Sequence, residues 1–206
     1  MEAKQHWQQV YTTKATDGVS WFQPEAATSL RLIRDTGVAP DAAIIDIGGG
    51  ASTLVDGLLG AGWSNVSVLD LSAAALDAAR ARLGPAGDAV QWIEADATRA
   101  ALPAAAYAVW HDRAAFHFLT AAEDRVAYRD NVLRALAPDG HLIVATFAED
   151  GPTQCSGLPV CRYGVDELAA EFGTAFVLQH HEKEAHRTPT GNVQQFVYCR
   201  FRRVRP

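Results

Sequence analysis

The sequence is short of several things, and each shortage excludes something. It holds three cysteines, an odd number, in 206 residues. That points to reduced thiols rather than a disulfide framework, and to a cytoplasmic location. No run approaches the roughly 18 consecutive apolar residues of a membrane span, and the opening MEAKQHWQQVYTTK lacks the apolar core of a secretory signal. Positive charge is scarce: 18 Lys and Arg face 24 Asp and Glu, a formal net charge of -6. A general nucleic-acid surface needs the opposite balance, so no nucleic-acid or membrane partner is expected. The four arginines of the terminal RFRRVRP read as a solvated strand end. Hydrophobic residues make up 49% and charged residues 20%, which is ordinary for a globular chain and argues against disorder. The length fits one domain, 1–206, with 1–40 as an N-terminal lid segment and 41–206 as an α/β core. Alanine occurs 38 times and 15 of the 18 basic residues are arginine. Alanine therefore fills many positions by default, and helix propensity alone carries little weight.

Short apolar runs alternate with helical patterns along most of the chain. Pro24 predicts a helix start, with the helix running to about Arg34. Strands are expected at Ala42–Ile47, Val66–Leu69, Val90–Glu94, Tyr107–Trp110 and His141–Phe147. Ser52 and Ser72 are positioned to cap helices reaching about Leu59 and Leu83. Helices are also expected at Glu123–Leu136 and Val165–Phe172. The tail offers two strands, Phe176–His181 and Gln195–Val204, joined by the turn TPTGN. Alternating strands and helices imply a mostly parallel sheet covered on both faces. The final pair lacks an intervening helix and should be antiparallel. The expected fold is a seven-stranded, Rossmann-like α/β sheet, its last strand antiparallel. Strand order does not follow from the pattern.

The informative stretch is Ile44-Ile45-Asp46-Ile47-Gly48-Gly49-Gly50-Ala51-Ser52. A buried strand runs into three glycines and a helix start, which is where an open α/β sheet binds ligands. Glycine lets backbone approach a ligand closely, and the unpaired N–H groups of the helix start favour electron-rich groups. A dinucleotide loop wants G-x-G-x-x-G, but Thr53 stands at the last position; a P-loop wants a Lys that is absent. Asp46 would repel a pyrophosphate and suits a ligand carrying an amino group.

The spacing D-x-G-x-G, with Ser52 in place of a third glycine, resembles the cofactor loop of class I S-adenosylmethionine methyltransferases. Asp70 ends the second strand, Asp96 follows the third, and Trp110-His111-Asp112-Arg113-Ala114-Ala115-Phe116-His117-Phe118 follows the fourth, in that family's order. The resemblance is firm over about residues 40–150. HWQQVYTTK, VSWFQPEAA and GPTQCSGLPVCRY also look like segments of bacterial enzymes and of the eukaryotic methyltransferase-like group, some members of which methylate protein lysines. The resemblance implies S-adenosylmethionine as cofactor and S-adenosylhomocysteine as product. It implies that Asp46 and Gly48, Gly49 and Gly50 shape the methionine end. Asp70, with Leu71 beside it, holds the ribose, Asp96 and the Ala97 N–H hold the adenine, and the His111 backbone serves the cofactor.

Methyl transfer from a sulfonium mainly requires orienting two reactants and excluding water. A base is needed only when the acceptor must first lose a proton. Asp112 and His117 are the candidate substrate-side residues for that role. Trp7, Tyr11, Trp21 and Phe22 are too aromatic for a free tail and suggest a lid, with Lys14 available to the cofactor carboxylate and Trp21 beside it. Arg162 and Tyr163, with Trp7, are candidates to line the acceptor pocket. Cys155 and Cys161 are spaced C-x5-C, which is not a zinc pattern, and His180, His181 and His186 alternate along a strand, so no metal is expected. The acceptor is a small molecule or a protein lysine, and the chain a monomer or homodimer. Rivals of other kinds are an NAD-dependent oxidoreductase and a non-enzymatic cofactor-binding partner protein.

Overall fold

The computed structural model describes residues 3–204. Its elements in chain order are α1 (Ala3–Thr13), α2 (Ala27–Arg34), β1 (Ile44–Ile47), α3 (Leu54–Gly60), β2 (Val66–Asp70), α4 (Ala73–Leu83), β3 (Gln91–Glu94) and β4 (Tyr107–Arg113). They continue with α5 (Ala122–Ala135), β5 (Leu136–Phe147), β6 (Gln154–Cys155), β7 (Leu158–Pro159), α6 (Val165–Phe172), β8 (Phe176–Arg187) and β9 (Val193–Arg203). Seven strands form one sheet in the order β3-β2-β1-β4-β5-β9-β8, and β6 pairs with β7 apart from it. β1 to β5 are mutually parallel; β9 runs antiparallel to both β5 and β8. The expected mostly parallel sheet with an antiparallel last strand is the one observed.

Period-two alternation sends each strand's side chains to two separate cores. Ile45, Ile47, Trp110, Val144 and Cys199 pack on one face, with Tyr128 and Val132 of α5 and Leu168 and Phe172 of α6. Ile44, Val109, Ile143 and Tyr198 pack on the other, with Leu30 and Ile33 of α2, Leu54 and Leu58 of α3, and Leu76 of α4. The chain lays β2 and β3 to one side of β1, then β4 and β5 to the other. The connection reverses between β1 and β4, and ligands of such sheets bind outside the carboxyl ends of the strands there.

Several local expectations are corrected. α2 begins at Ala27 rather than at Pro24. The Gln23 carbonyl accepts from Thr53 Oγ1 at 2.9 Å and its side chain donates to Glu184, which ties this segment to α3 and β8 before the helix can start. β4 runs three residues beyond Trp110, to Arg113. The expected APDG turn is present inside β5: Leu136 pairs with Tyr107 and His141 with Val109, so residues 137–140 bulge out of the ladder. Ser72 does cap α4, accepting from Ala75 N. The β6–β7 hairpin, unread in the sequence, turns on Ser156 (φ 51) and Gly157 (φ 78), the pair of positive φ values of a tight two-residue hairpin turn. Of the terminal arginines, Arg202 pairs with Asp139 while Arg200 and Arg203 donate to the Asp35 and Leu136 carbonyls; Arg205 lies outside the described residues.

Candidate active site

β1 ends in a backbone that only glycine tolerates. Gly48 has φ +64, and a Cβ there would lie 2.6 Å from the Ala115 Cβ. At Gly50, φ +38, a Cβ would lie 2.6 Å from Asp70 Oδ2. The three glycines thus let β1, β2 and the turn after β4 converge. Around that convergence lies a cavity of about 380 Å³, within the usual range for small-molecule sites. Its floor is built from strand ends: Gly48 from β1, Asp70 and Leu71 from β2, Asp96 and Ala97 after β3, and Arg113 from β4. Its roof is aromatic. Trp7 and Tyr11, one helical turn apart on α1, meet Trp21 and Phe118. Ring centroids lie 5.0 Å apart for Trp7–Phe118 and 5.6 Å for Trp7–Trp21. The β6–β7 hairpin adds Cys155, Leu158 and Pro159.

α1 is fastened over the cavity. Gln8 Oε1 accepts from Ser72 Oγ at 3.1 Å and Ala74 N at 3.2 Å, at the start of α4. Lys4 pairs with Glu94 at 2.7 Å. Directly beneath, Asp70 is buried. Burial pushes its carboxyl up to about 7, with the Asp46 charge adding to this and the Ser72 and Leu71 N–H groups opposing it. Asp96 Oδ1 accepts from the Thr98 N–H and hydroxyl at 2.8 and 2.7 Å.

A smaller cavity of about 40 Å³ is lined by Asp46, Gly48, Gly49, Trp21, His111 and Arg113, among others. Asp46 and His111 are register partners on β1 and β4 and so share a face. His111 Nδ1 meets Asp46 Oδ1 at 2.7 Å, and its Nε2 meets Ser29 Oγ of α2 at 2.9 Å. The ring, rather than the backbone alone, thus anchors Asp46 beside the glycine turn.

Five residues singled out in the sequence line neither of these two cavities. Asp112 lines neither cavity: it follows His111 on β4, and alternation turns it toward α5, beneath the Tyr128 that lines the larger one. It is fully buried and accepts from Tyr128 Oη at 2.7 Å, Ala115 N at 3.0 Å and Phe116 N at 3.1 Å. Burial pushes its carboxyl up to about 6 against those bonds. It organises the turn after β4. His117 is likewise fully buried, packed against Phe118 and Phe147. Burial and then the Arg113 charge push its imidazole down to about 3, so it is neutral and lines no cavity described here. Arg162 and Tyr163 line a separate depression with Arg125, Glu149 and Glu171, and Tyr163 packs on Phe116. Lys14 is exposed just past α1 and lines neither cavity above.

In the sequence Arg113 is only one residue of the stretch after the fourth strand; in the structure it joins the site. It lines both cavities. Its Nε donates to Tyr198 Oη at 2.9 Å, one terminal nitrogen donates to the Trp21 carbonyl at 3.0 Å, and the guanidinium lies 4.4 Å from the Phe196 ring centre. Cys155 and the hairpin were also unassigned, since nothing local shows where a two-residue strand docks.

Acid at the end of β2 and acid after β3 line the larger cavity, and the glycine turn with an acid behind it borders both. A family model described as a methyltransferase domain matches residues 44–140. The chain carries a class I methyltransferase domain. S-adenosylmethionine is its methyl donor, and the residues present fit that group. This decides against the dinucleotide reading. No curated protein matches the chain in sequence. Among solved structures, one from work on converting a disulfide bond into a thioacetal group during echinomycin biosynthesis is 19% identical, with TM-score 0.76 over 98% of this chain and 94% of that one. An S-adenosylmethionine-dependent methyltransferase of Anabaena variabilis is 14% identical, with TM-score 0.74 over 98% and 96%. The 1,6-didemethyltoxoflavin-N1-methyltransferase of Burkholderia thailandensis is 18% identical, with TM-score 0.70 over 98% and 84%. At these identities the likeness is one of fold. Among the described residues no helix is long and apolar enough to cross a membrane, and no cluster of side chains could hold a metal ion.

Proposed function

We propose that the enzyme methylates a small molecule held under the aromatic roof. The observation that carries this is the continuity of that roof. Trp7 bridges Trp21 and Phe118 by ring contacts, and Gln8 holds the helix that bears it on α4. A protein lysine would need a path through that layer. Asp70 receives the ribose hydroxyls, Asp96 and the Ala97 N–H receive the adenine, and Asp46 with Gly48–Gly50 receives the amino-acid end. Residues 3–13 act as a lid on a core that uses the rest of the chain. The three free cysteines support a reducing compartment such as the cytoplasm. Calorimetry with S-adenosylhomocysteine tests the cofactor assignment: binding is expected, and Asp70→Ala should weaken it by about 1–3 kcal/mol. Turnover of small acceptors rather than lysine peptides tests the rest.

A further inference from the structure

Removing Asp112 and His117 from the cavity leaves the reaction without an obvious base. Among the described residues that line the larger cavity there is no histidine. Its titratable groups are Asp70, Asp96 and Asp124, the Tyr11 and Tyr128 phenols, the Cys155 thiol and one cation, Arg113. Burial pushes Cys155 up to about 11, so its thiol is neutral near pH 7. In the smaller cavity His111 is engaged on both ring nitrogens.

We propose that the acceptor is a small apolar-bodied molecule that reacts as an anion, a thiolate, phenolate or carboxylate, held against Arg113. This rests on the small-molecule reading above. Arg113 is the one Lys or Arg lining either of the two cavities. Its side chain is nine-tenths buried, and its second terminal nitrogen makes no hydrogen bond, standing 3.5 Å from Glu184 Oε1. Glu184 is itself engaged by Gln23 Nε2 at 3.1 Å. The guanidinium is thus fixed in place, ion-paired to Glu184 with one terminal nitrogen buried and without a hydrogen bond, beside a roof of Trp7, Phe118, Cys155 and Leu158 that suits an apolar body.

Proton chemistry separates the acceptor classes. A lysine ammonium near pKa 10.4 is unprotonated in only about one molecule in 2,500 at pH 7. It would have to enter beside a like charge and lose its proton with no histidine at hand. A thiol near 8.5 is already about 3% ionised, and a cation within ~4–6 Å lowers such a pKa by about 1–3 units. Arg113 can therefore supply the nucleophile without a base. The proton leaves to solvent before transfer. The anion's lone pair then forms the new bond to the methyl carbon as the S–CH3 bond breaks, and that bonding pair returns to sulfur, leaving a neutral thioether.

The test uses thiophenol, 4-nitrophenol and benzoate against benzylamine and a lysine peptide, on the full chain. Anionic probes are expected to bind the complex with S-adenosylhomocysteine by saturation-transfer NMR, and at least one to be methylated. Arg113→Met should raise its KM tenfold or more and move the acidic limb of kcat for thiophenol upward by 1–3 pH units, while the wild-type affinity for S-adenosylhomocysteine is kept. Arg113→Lys should recover much of the KM and also guards against a folding defect in Arg113→Met. Methylation of the amines alone, or no binding of any anionic probe, overturns the proposal. So does a loss of S-adenosylhomocysteine affinity in Arg113→Met that Lys restores, which would place the cofactor's own carboxylate on Arg113. Failure of the wild type to bind S-adenosylhomocysteine would instead defeat the cofactor-site assignment beneath it.

Discussion

Asp70 provides the sharpest test of the cofactor site, because its carboxyl is both buried and titratable near neutrality. Burial raises it from 3.8 to about 7 in the protein without ligand. Ribose hydroxyls donate to the ionised form and so favour it. If only that form binds, the competent fraction is about one-tenth at pH 6 and about nine-tenths at pH 8. The Kd for S-adenosylhomocysteine should then fall roughly tenfold over that interval, about 1.4 kcal/mol. The unliganded protein should show the opposite trend. A raised acid contributes stability that is fully present below the unfolded value of 3.8 and is lost as pH rises through about 7. Ligand should therefore raise the melting temperature more at pH 8 than at pH 6. Asp70→Asn stays neutral throughout, so its binding should be weaker and flat with pH. Calorimetry across pH 5.5–8.5 on both proteins decides the matter. A flat wild-type profile, or an equal slope in Asp70→Asn, would refute the assignment.

Other expectations follow from packing and burial. Gly48→Ala places a Cβ 2.6 Å from the Ala115 Cβ at a φ of +64, and neither atom can swing away. The overpacking should cost about 1–3 kcal/mol and appear in urea unfolding as a lower midpoint with unchanged slope. Asp112→Ala strips acceptors from the Tyr128 hydroxyl and the Ala115 and Phe116 N–H groups. It should lower stability by more than about 2 kcal/mol. A fully stable Asp112→Ala that is catalytically dead would restore it as a catalytic residue. His117→Phe replaces a neutral ring among aromatics, so the pH profile of kcat between 5 and 9 should keep its shape; loss of a limb there would mean that His117 moves a proton.

The acids that could be located from the sequence are those whose position depends on chain order alone. Asp46, Asp70 and Asp96 lie at or just past strand ends, and every parallel strand delivers its carboxyl end to the same edge of the sheet. Once β1 to β4 are recognised, these acids reach that edge whatever the strand order. The stretch from His111 to Phe118 is different, because there function depends on which face a side chain takes. His111, Asp112 and Arg113 are adjacent in sequence, yet they reach Asp46, Tyr128 and Tyr198 respectively. β4 extends through all three, so alternation separates His111 and Asp112, and that extension was not readable from a run that turns polar after Trp110. A polar residue inside a strand next to a glycine turn looks catalytic in sequence whether it faces the ligand or pins the turn. The same ambiguity hid Arg113, whose partners come from β9, β8 and the segment before α2, about 70 to 90 residues away along the chain. Long-range pairing of that kind decides charge placement in the site, and no local pattern reports it. The cavity's one fixed cation is consequently the residue on which the choice of acceptor turns.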